Sequence, residues 1–294
     1  AGAWAVSGAR RFSYPAAREG ETVEERLLAE GYSKRLIVLL KQLPEGLTVA
    51  GERVRSTRPL HPGEILAVAL PLDPPRVHRL SVGVPVLYED EDLTVYNKPA
   101  GMVCHRSGSH RYDTLENAAE GVFRAMNRLD KDTSGALVAA KHQLAAAKLW
   151  RNIEKSYLAV AHGRITGSGR IDLPLGREVP YEPKQAVLPG GLSAVTEYTA
   201  LGYSPDGDCT LLRCRLLTGR MHQIRAHCAA AGHPLLGDAL YGGDSRLIGR
   251  QALHCERVSF SHPISGRRLA LSAPPPDDLR ALLDACRLSA VLMK

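Results

Sequence analysis

The chain has 294 residues, with 38 Lys and Arg against 31 Asp and Glu for a net charge of +7, a length that suits about two domains of ~100–200 residues each. Hydrophobic residues at 44% and charged residues at 23% are ordinary globular usage and exclude a disordered or fibrous chain. No apolar run approaches the ~18 residues of a membrane span, and the opening AGAWAVSGARRFSYP lacks the long apolar core of a signal peptide.

In chain order, residues 1–20 are expected to form a poorly ordered lead-in. Glu21 to Leu28 reads as a short helix, because Val23, Leu27 and Leu28 share one face. Gly31 ends it. Ser33 then N-caps a second helix that runs through Leu43, with Pro44 just beyond. Two β-like pieces follow: LTVAGERV, which turns at Ala50-Gly51, and the alternating GEILAVALP. With Val49-Ala50-Gly51 and Pro62-Gly63-Glu64-Ile65, the α+β segment 21–71 resembles an S4-type RNA-binding domain. The second helix carries only Lys34, Arg35 and Lys41, so a plain packing module stays open beside RNA binding. Residues 72–85 hold Pro74, Pro75 and Pro85 directly after Pro71 and read as an extended linker.

A longer domain, 86–294, starts with VLYEDEDLTVYNKPAG, which alternates as a strand and ends on a Pro/Gly turn. Strand-like stretches at 135–140, 157–165, 194–203, 208–217, 251–261 and 268–272 are interrupted by helical ones near 114–124, 142–152, 221–231 and 277–286. This irregular alternation predicts α+β architecture, with a mixed, mainly antiparallel sheet flanked by helices. The six cysteines form no CxxC pair. They are expected to be reduced thiols of a cytoplasmic protein, since disulfide stapling is a habit of small secreted domains.

Three polar clusters stand out. Asn127-Arg128-Leu129-Asp130-Lys131-Asp132-Thr133-Ser134-Gly135 packs two cations and two carboxylates beside a turn. It suits a catalytic loop between rigid elements, and by residue chemistry alone it equally suits a solvated turn. Leu217 to His227 crowds Arg220, His222, Gln223 and Arg225 into the first turn of a helix. Cations there oppose the helix dipole and want a phosphate or carboxylate partner. In Glu154 to Gly163, Lys155 and Tyr157 share a strand face, although Tyr157 alone reads as a core tyrosine. Residues 141–170 hold Lys141, Lys148, Arg151, Lys155, Arg164 and Arg170 against Glu154 alone, either a solvated face or a phosphate-tracking surface. Phosphate-binding Gly loops, a GxSxG elbow and zinc motifs are absent from the sequence. His222 and His227, five apart, do not suggest a metal pair, and no metal or cofactor is expected.

Together RLDKDTSG, KSYLAVAHG, TGRMHQIRAHCAAAGHPLLGDALYG and NKPAG with His105 resemble the RluA family of pseudouridine synthases over about residues 84–275. The S4-like module is similar to that of the family's S4-bearing branch. Asn127 stands where a His is often found, and Met221 where a Thr is common. The resemblance implies an RNA pseudouridine synthase. Asp130 would act at the sugar, by attack on C1′ or removal of the 2′ proton. Arg225 would hold Asp130 ionised, and Tyr157 would stack on the uracil and help the C5 proton leave. Lys155 would give electrostatic support, and Arg128 would fill the gap of a flipped base. Arg220, His222 and Gln223 join these as RNA-binding candidates. The expected substrate is large-subunit ribosomal RNA, with tRNA as the alternative, and the expected state is a monomer. A silent RNA-binding or ribosome-assembly protein on the same scaffold is the competing reading. A glycosidase would want a second general-acid carboxylate, for which Asp132 is the only near candidate.

Overall fold

The computed structural model describes residues 8–72, 82–119, 121–150 and 152–293. The N-terminal part contains β1 (Ala9–Pro15), α1 (Val23–Ala29), α2 (Lys34–Gln42), β2 (Leu47–Val49), β3 (Glu52–Arg53) and β4 (Ile65–Pro71). Thr22 closes a capping box with Glu25 at the start of α1, and the Ser33 hydroxyl accepts from the Leu36 amide at 3.2 Å. At the hairpin turn Ala50 and Gly51 both have positive φ, 49° and 82°, as a two-residue turn of the strand-matching hand requires. The strands form one sheet in the order β1-β4-β2-β3. The expected lead-in over 1–20 is thereby corrected: Ala9–Pro15 pairs antiparallel along all of β4, from Ala9↔Pro71 to Pro15↔Ile65. Phe12 is its only fully buried residue, too faint a periodicity to read locally. Val23, Leu27, Leu36, Ile37, Leu40, Leu66 and Val68 fill this part's core.

After it come β5 (Val86–Glu89), β6 (Leu93–Lys98), α3 (Leu115–Ala118), β7 (Arg124–Ala125), β8 (Ser134–Ala140), α4 (Gln143–Leu149), β9 (Glu154–His162) and β10 (Ser168–Asp172). β11 (Leu175–Gly176), β12 (Ala186–Val187), β13 (Val195–Tyr203), β14 (Cys209–Leu216), α5 (Gln223–Ala230), β15 (Leu253–Ser261), β16 (Arg268–Ser272) and α6 (Asp277–Ala285) complete the order. One large sheet runs β10-β13-β14-β9-β15-β8-β6-β5, with β16 on β15 and β7 on β8. Among the described strands only β15 and β8 pair in parallel, through His254↔Ser134 and Cys255↔Gly135, so the expected mainly antiparallel α+β sheet is what forms. Residues 86–101 make a hairpin instead of one strand, because the Asp90 carboxylate accepts from the amides of Asp92 and Leu93 at 2.8 and 2.9 Å and turns the chain. The helix expected over 114–124 is one turn long and stops short of Gly121, which takes φ +86°. Of the proposed linker, residues 73–81 lie outside the described residues.

The two parts share a packed junction. Leu144 of α4 belongs to the N-terminal core, and Arg10 of β1 bonds Asp92 at 3.0 Å, which also takes His142 at 2.9 Å. On the large sheet, Leu279, Leu282 and Leu283 of α6 cover Leu158, Val160 and Leu211.

Candidate active site

Asp130 lies in the loop that leads into β8. Several backbone groups of that loop are held from outside it. Lys98, fully buried, donates from Nζ to the carbonyls of Pro99, Met102 and Lys131 at 2.8, 2.6 and 2.9 Å. Cys104 Sγ lies 3.3 Å from the Leu129 amide and 3.1 Å from its carbonyl. Arg250 Nη1 donates to the Asp132 carbonyl at 3.0 Å, and Gln251 Nε2 to the Thr133 hydroxyl at 3.2 Å. Asn127 ties the loop's start to β8 by donating to the Ala136 carbonyl and accepting from the Val138 amide, at 3.1 and 2.8 Å. Its end is fixed by the parallel pairing with β15, where a Cβ on Gly135 would sit 2.3 Å from the Cys255 carbonyl oxygen. Only glycine permits that approach.

Asp130 keeps a quarter of its side chain exposed, whereas the Arg225 side chain is 8% exposed. Arg225 Nη1 reaches Asp130 Oδ2 at 3.3 Å, and its Nε and Nη2 grip Asp238 at 2.7 and 2.8 Å. Asp238, with 1% of its side chain exposed, sits in a turn that Gly237 allows, since a Cβ there would meet the Arg250 carbonyl oxygen at 1.9 Å. Burial opposes the Arg225 charge, but the bidentate Asp238 bond and the Asp130 charge outweigh it and hold the guanidinium's pKa above its ordinary value. The Tyr241 ring lies under the guanidinium at 5.1 Å. The Tyr241 hydroxyl accepts from the Gln185 amide at 2.8 Å and meets His222 Nδ1 at 3.2 Å. His222 takes a left-handed φ of 53° at the start of α5, which brings its Nε2 to 4.0 Å from Asp130 Oδ2. Burial pulls its pKa down despite that carboxylate.

Tyr157 is 4% exposed. Burial pushes its phenol well above the usual range, and the Asp130 charge adds to this. Its resting form is the neutral phenol. Arg128 is exposed and makes no hydrogen bond or ion pair among the described residues. The cavity that Lys155 lines holds Arg220 as well, and Arg220 Nε donates to the Ser193 carbonyl at 2.9 Å. The structure therefore gathers Asp130, Tyr157, His222 and Arg225 and leaves Arg128 free beside them.

Gln223 corrects an expectation. It is 2% exposed, and its amide is bonded inside the protein to Thr218, the Arg220 amide, Val195 and Thr196. It braces the turn before α5 and does not face RNA. His227 is likewise internal, bonded to Thr196 and the Leu173 carbonyl at 2.9 and 3.0 Å. Two residues that sequence reasoning did not single out, Lys98 and Asp238, fix the loop and the arginine. Both lie in quoted segments, NKPAG and GDALYG, without a spacing that signals their role. All six cysteines are buried and free. Among the described residues, Asp90, Asp92 and His262 gather possible metal-ligand atoms within 4.8 Å. They sit at the junction with the N-terminal part, where Arg10 and His142 already bond Asp92.

Residues 92–230 match the family model described as RNA pseudouridylate synthase. An uncharacterized RNA pseudouridine synthase of Bacillus subtilis, YhcT, is 40% identical over 212 residues, covering 67% of this chain and 70% of that protein. Ribosomal large subunit pseudouridine synthase D of Vibrio vulnificus is 37% identical over 257 residues, 78% of each chain. Among solved structures, human RNA pseudouridylate synthase domain containing 1 superposes with a TM-score of 0.56 at 27% identity, covering 72% of this chain and 96% of that one. A partly exposed aspartate in an RLDKDTSG loop, paired to the arginine of TGRMHQIRAH inside this sheet, agrees with that likeness, and the chain belongs to the RluA family of RNA pseudouridine synthases, enzymes that isomerise uridine to pseudouridine in RNA.

Proposed function

We propose that this enzyme modifies specific uridines of large-subunit ribosomal RNA, with Asp130 as the essential carboxylate. The observation that carries the reading is the Asp130–Arg225–Asp238 chain of charges, which keeps one carboxylate partly exposed and paired from behind. The isomerisation breaks N1–C1′, turns the uracil and forms C5–C1′; C5 gives up a proton and N1 gains one. It needs no redox step. Asp130 acts at the sugar, as nucleophile on C1′ or as base toward the 2′ proton, and Arg225 favours its ionised form in either route. Tyr157 packs against the uracil. Because its phenol rests protonated, its hydroxyl serves C5 deprotonation by hydrogen bonding and not as a standing phenolate.

A stacked uridine cannot reach Asp130, so the base must be flipped out at a cost of a few kcal/mol. Exposed, unpaired Arg128 two residues away supports the role of filling the vacated place, since a planar guanidinium stacks on bases. Residues 21–71, together with the β1 strand, act in this reading as an S4-like module that anchors RNA. The enzyme works as a cytoplasmic monomer. Ribosomal RNA is favoured over tRNA because relatives such as the Vibrio vulnificus protein bear the large-subunit name.

Pseudouridine mapping of total RNA, with and without the gene, tests the substrate. Loss of sites in large-subunit rRNA is expected, and loss confined to tRNA would move the assignment. Purified Asp130→Asn should give no product on an rRNA transcript while keeping its fold and its RNA affinity. Turnover by that variant would remove Asp130 from the role.

A further inference from the structure

The basic run at 141–170 does not act as one surface. Arg164 stacks on Tyr203 at 4.2 Å, Arg170 pairs with Asp172 at 2.8 Å, and Lys141 pairs with Glu89 at 2.6 Å. Arg151 lies outside the described residues. Lys148 and Lys155 instead turn into one cavity of about 950 Å³ at the end of the large sheet, together with Arg215, Arg220 and Arg268. Glu154 is the one carboxylate in its lining, and Arg268 bonds it at 2.8 Å. Arg215 faces Glu197 at 3.6 Å. Lys148 and Lys155 have no carboxylate partner among the described residues.

The cavity is lined from residue 148 onward, and its Lys148 wall adjoins the N-terminal part. At one side the Lys148 stem lies against Gly31, where a Cβ would come 3.1 Å from Cε, so this wall adjoins the turn after α1. At the other side Lys155 shares a strand face with Tyr157, about 7 Å further along β9. Arg220 stands five residues before Arg225 on the same approach to α5. Lys155 is half-buried, and burial lowers its pKa. A half-desolvated ammonium without a counter-ion is stabilised by an anion that arrives with the ligand.

We infer that this cavity is a phosphate channel, in which Lys148, Lys155 and Arg220 carry the single-stranded RNA backbone flanking the target uridine from the N-terminal part to Tyr157. The inference rests on the reading of the enzyme as one acting on RNA and adds where the strand runs. It also reassigns Lys155, which touches no group at Asp130, from electrostatic support of the catalytic carboxylate to strand binding. A row of separate cations around an open, polar cavity suits a backbone of spaced phosphates and does not converge on one small anion.

Equilibrium binding of a short uridine oligomer over a range of salt tests it, using the full chain. Each neutralised phosphate of a single strand contributes about 0.7 to the slope of log affinity on log salt. The double variant Lys148→Gln with Lys155→Gln should therefore lose about 1.4 of slope, and its affinity deficit should shrink about sevenfold between roughly 50 and 200 mM salt. Arg164→Gln with Arg170→Gln makes the same charge change outside the cavity and should keep the wild-type slope. An unchanged slope in the first variant would overturn the channel, as would a slope loss of equal size in the second. Polyglutamate that displaces the oligomer as well as unlabelled RNA does, charge for charge, would overturn RNA as the occupant. If the double variant melts early, Lys148→Gln alone carries the test at half the slope change. Wild-type protein that makes no pseudouridine on an rRNA transcript would fail the functional reading itself; wild-type product with an unchanged slope would fail only the channel.

Discussion

Residues 127–134 and residues 218–227 meet at the Asp130–Arg225 bond, and they are built in opposite ways. In the first, the backbone is held by Lys98, Cys104 and Arg250 and the Thr133 hydroxyl by Gln251, all distant in sequence. The side chains of Arg128 and Asp130 are left facing solvent. In the second, the side chains themselves do the holding: Gln223 is bonded on both amide atoms, Arg225 is gripped by Asp238, and His227 is bonded on both ring nitrogens. Both segments are rich in polar residues. What separates them is who satisfies the backbone, and a side chain is available to substrate only where something else has done that work.

The strongest way to break this contrast is Asp238→Ala. It leaves the buried Arg225 with only the longer Asp130 bond, and losing one partner of a buried pair costs roughly 3–5 kcal/mol. Denaturant unfolding should show that loss, together with a loss of turnover. A change below about 1 kcal/mol would mean that Arg225 is not held as scaffold.

Lys98→Met attacks the other segment from behind. It leaves the carbonyls of Pro99, Met102 and Lys131 without their shared donor, at about 1–3 kcal/mol for an unsatisfied buried group. The pH dependence sharpens the test. Burial draws the Lys98 pKa from 10.5 down to about 8, so above the folded value and below the ordinary one the unfolded chain holds a proton that the folded chain lacks. Stability from this group therefore rises with pH across that window. The stability gap between wild type and Lys98→Met should widen in favour of wild type between pH 8 and 10.5; a gap that narrows would contradict the assignment.

The smallest expected effect on stability belongs to Arg128→Ala, within about 0.5 kcal/mol, because an exposed side chain with no partner contributes little to the fold. Its effect on RNA should be large. A 2-aminopurine placed beside the target uridine should lose its fluorescence rise on binding, and Arg128→Lys should restore little of it, since an ammonium has no planar face. A wild-type rise in the Ala variant would remove Arg128 from base flipping.

Much of this was legible in the residues themselves. The capped starts of α1 and α2 and the Ala50-Gly51 turn depend on neighbours within a few positions, and a chain shows such relations directly. RLDKDTSG and TGRMHQIRAH could be matched because each is contiguous. What the sequence could not show is who meets whom at long range. β1 acquires its identity only by pairing with β4, about 56 residues later. Gln223 looks like its exposed neighbours until the Thr218 turn folds over it. Lys98 reaches Lys131, 33 positions away, and Asp130 reaches Arg225, 95 positions away. These contacts exist only once β8 lies parallel to β15 and Gly135 lets the two backbones touch. Periodicity and capping are local energies written in adjacent residues, whereas the exposure of Asp130 and the burial of Gln223 are decided by which distant donors the assembled sheet brings to each backbone.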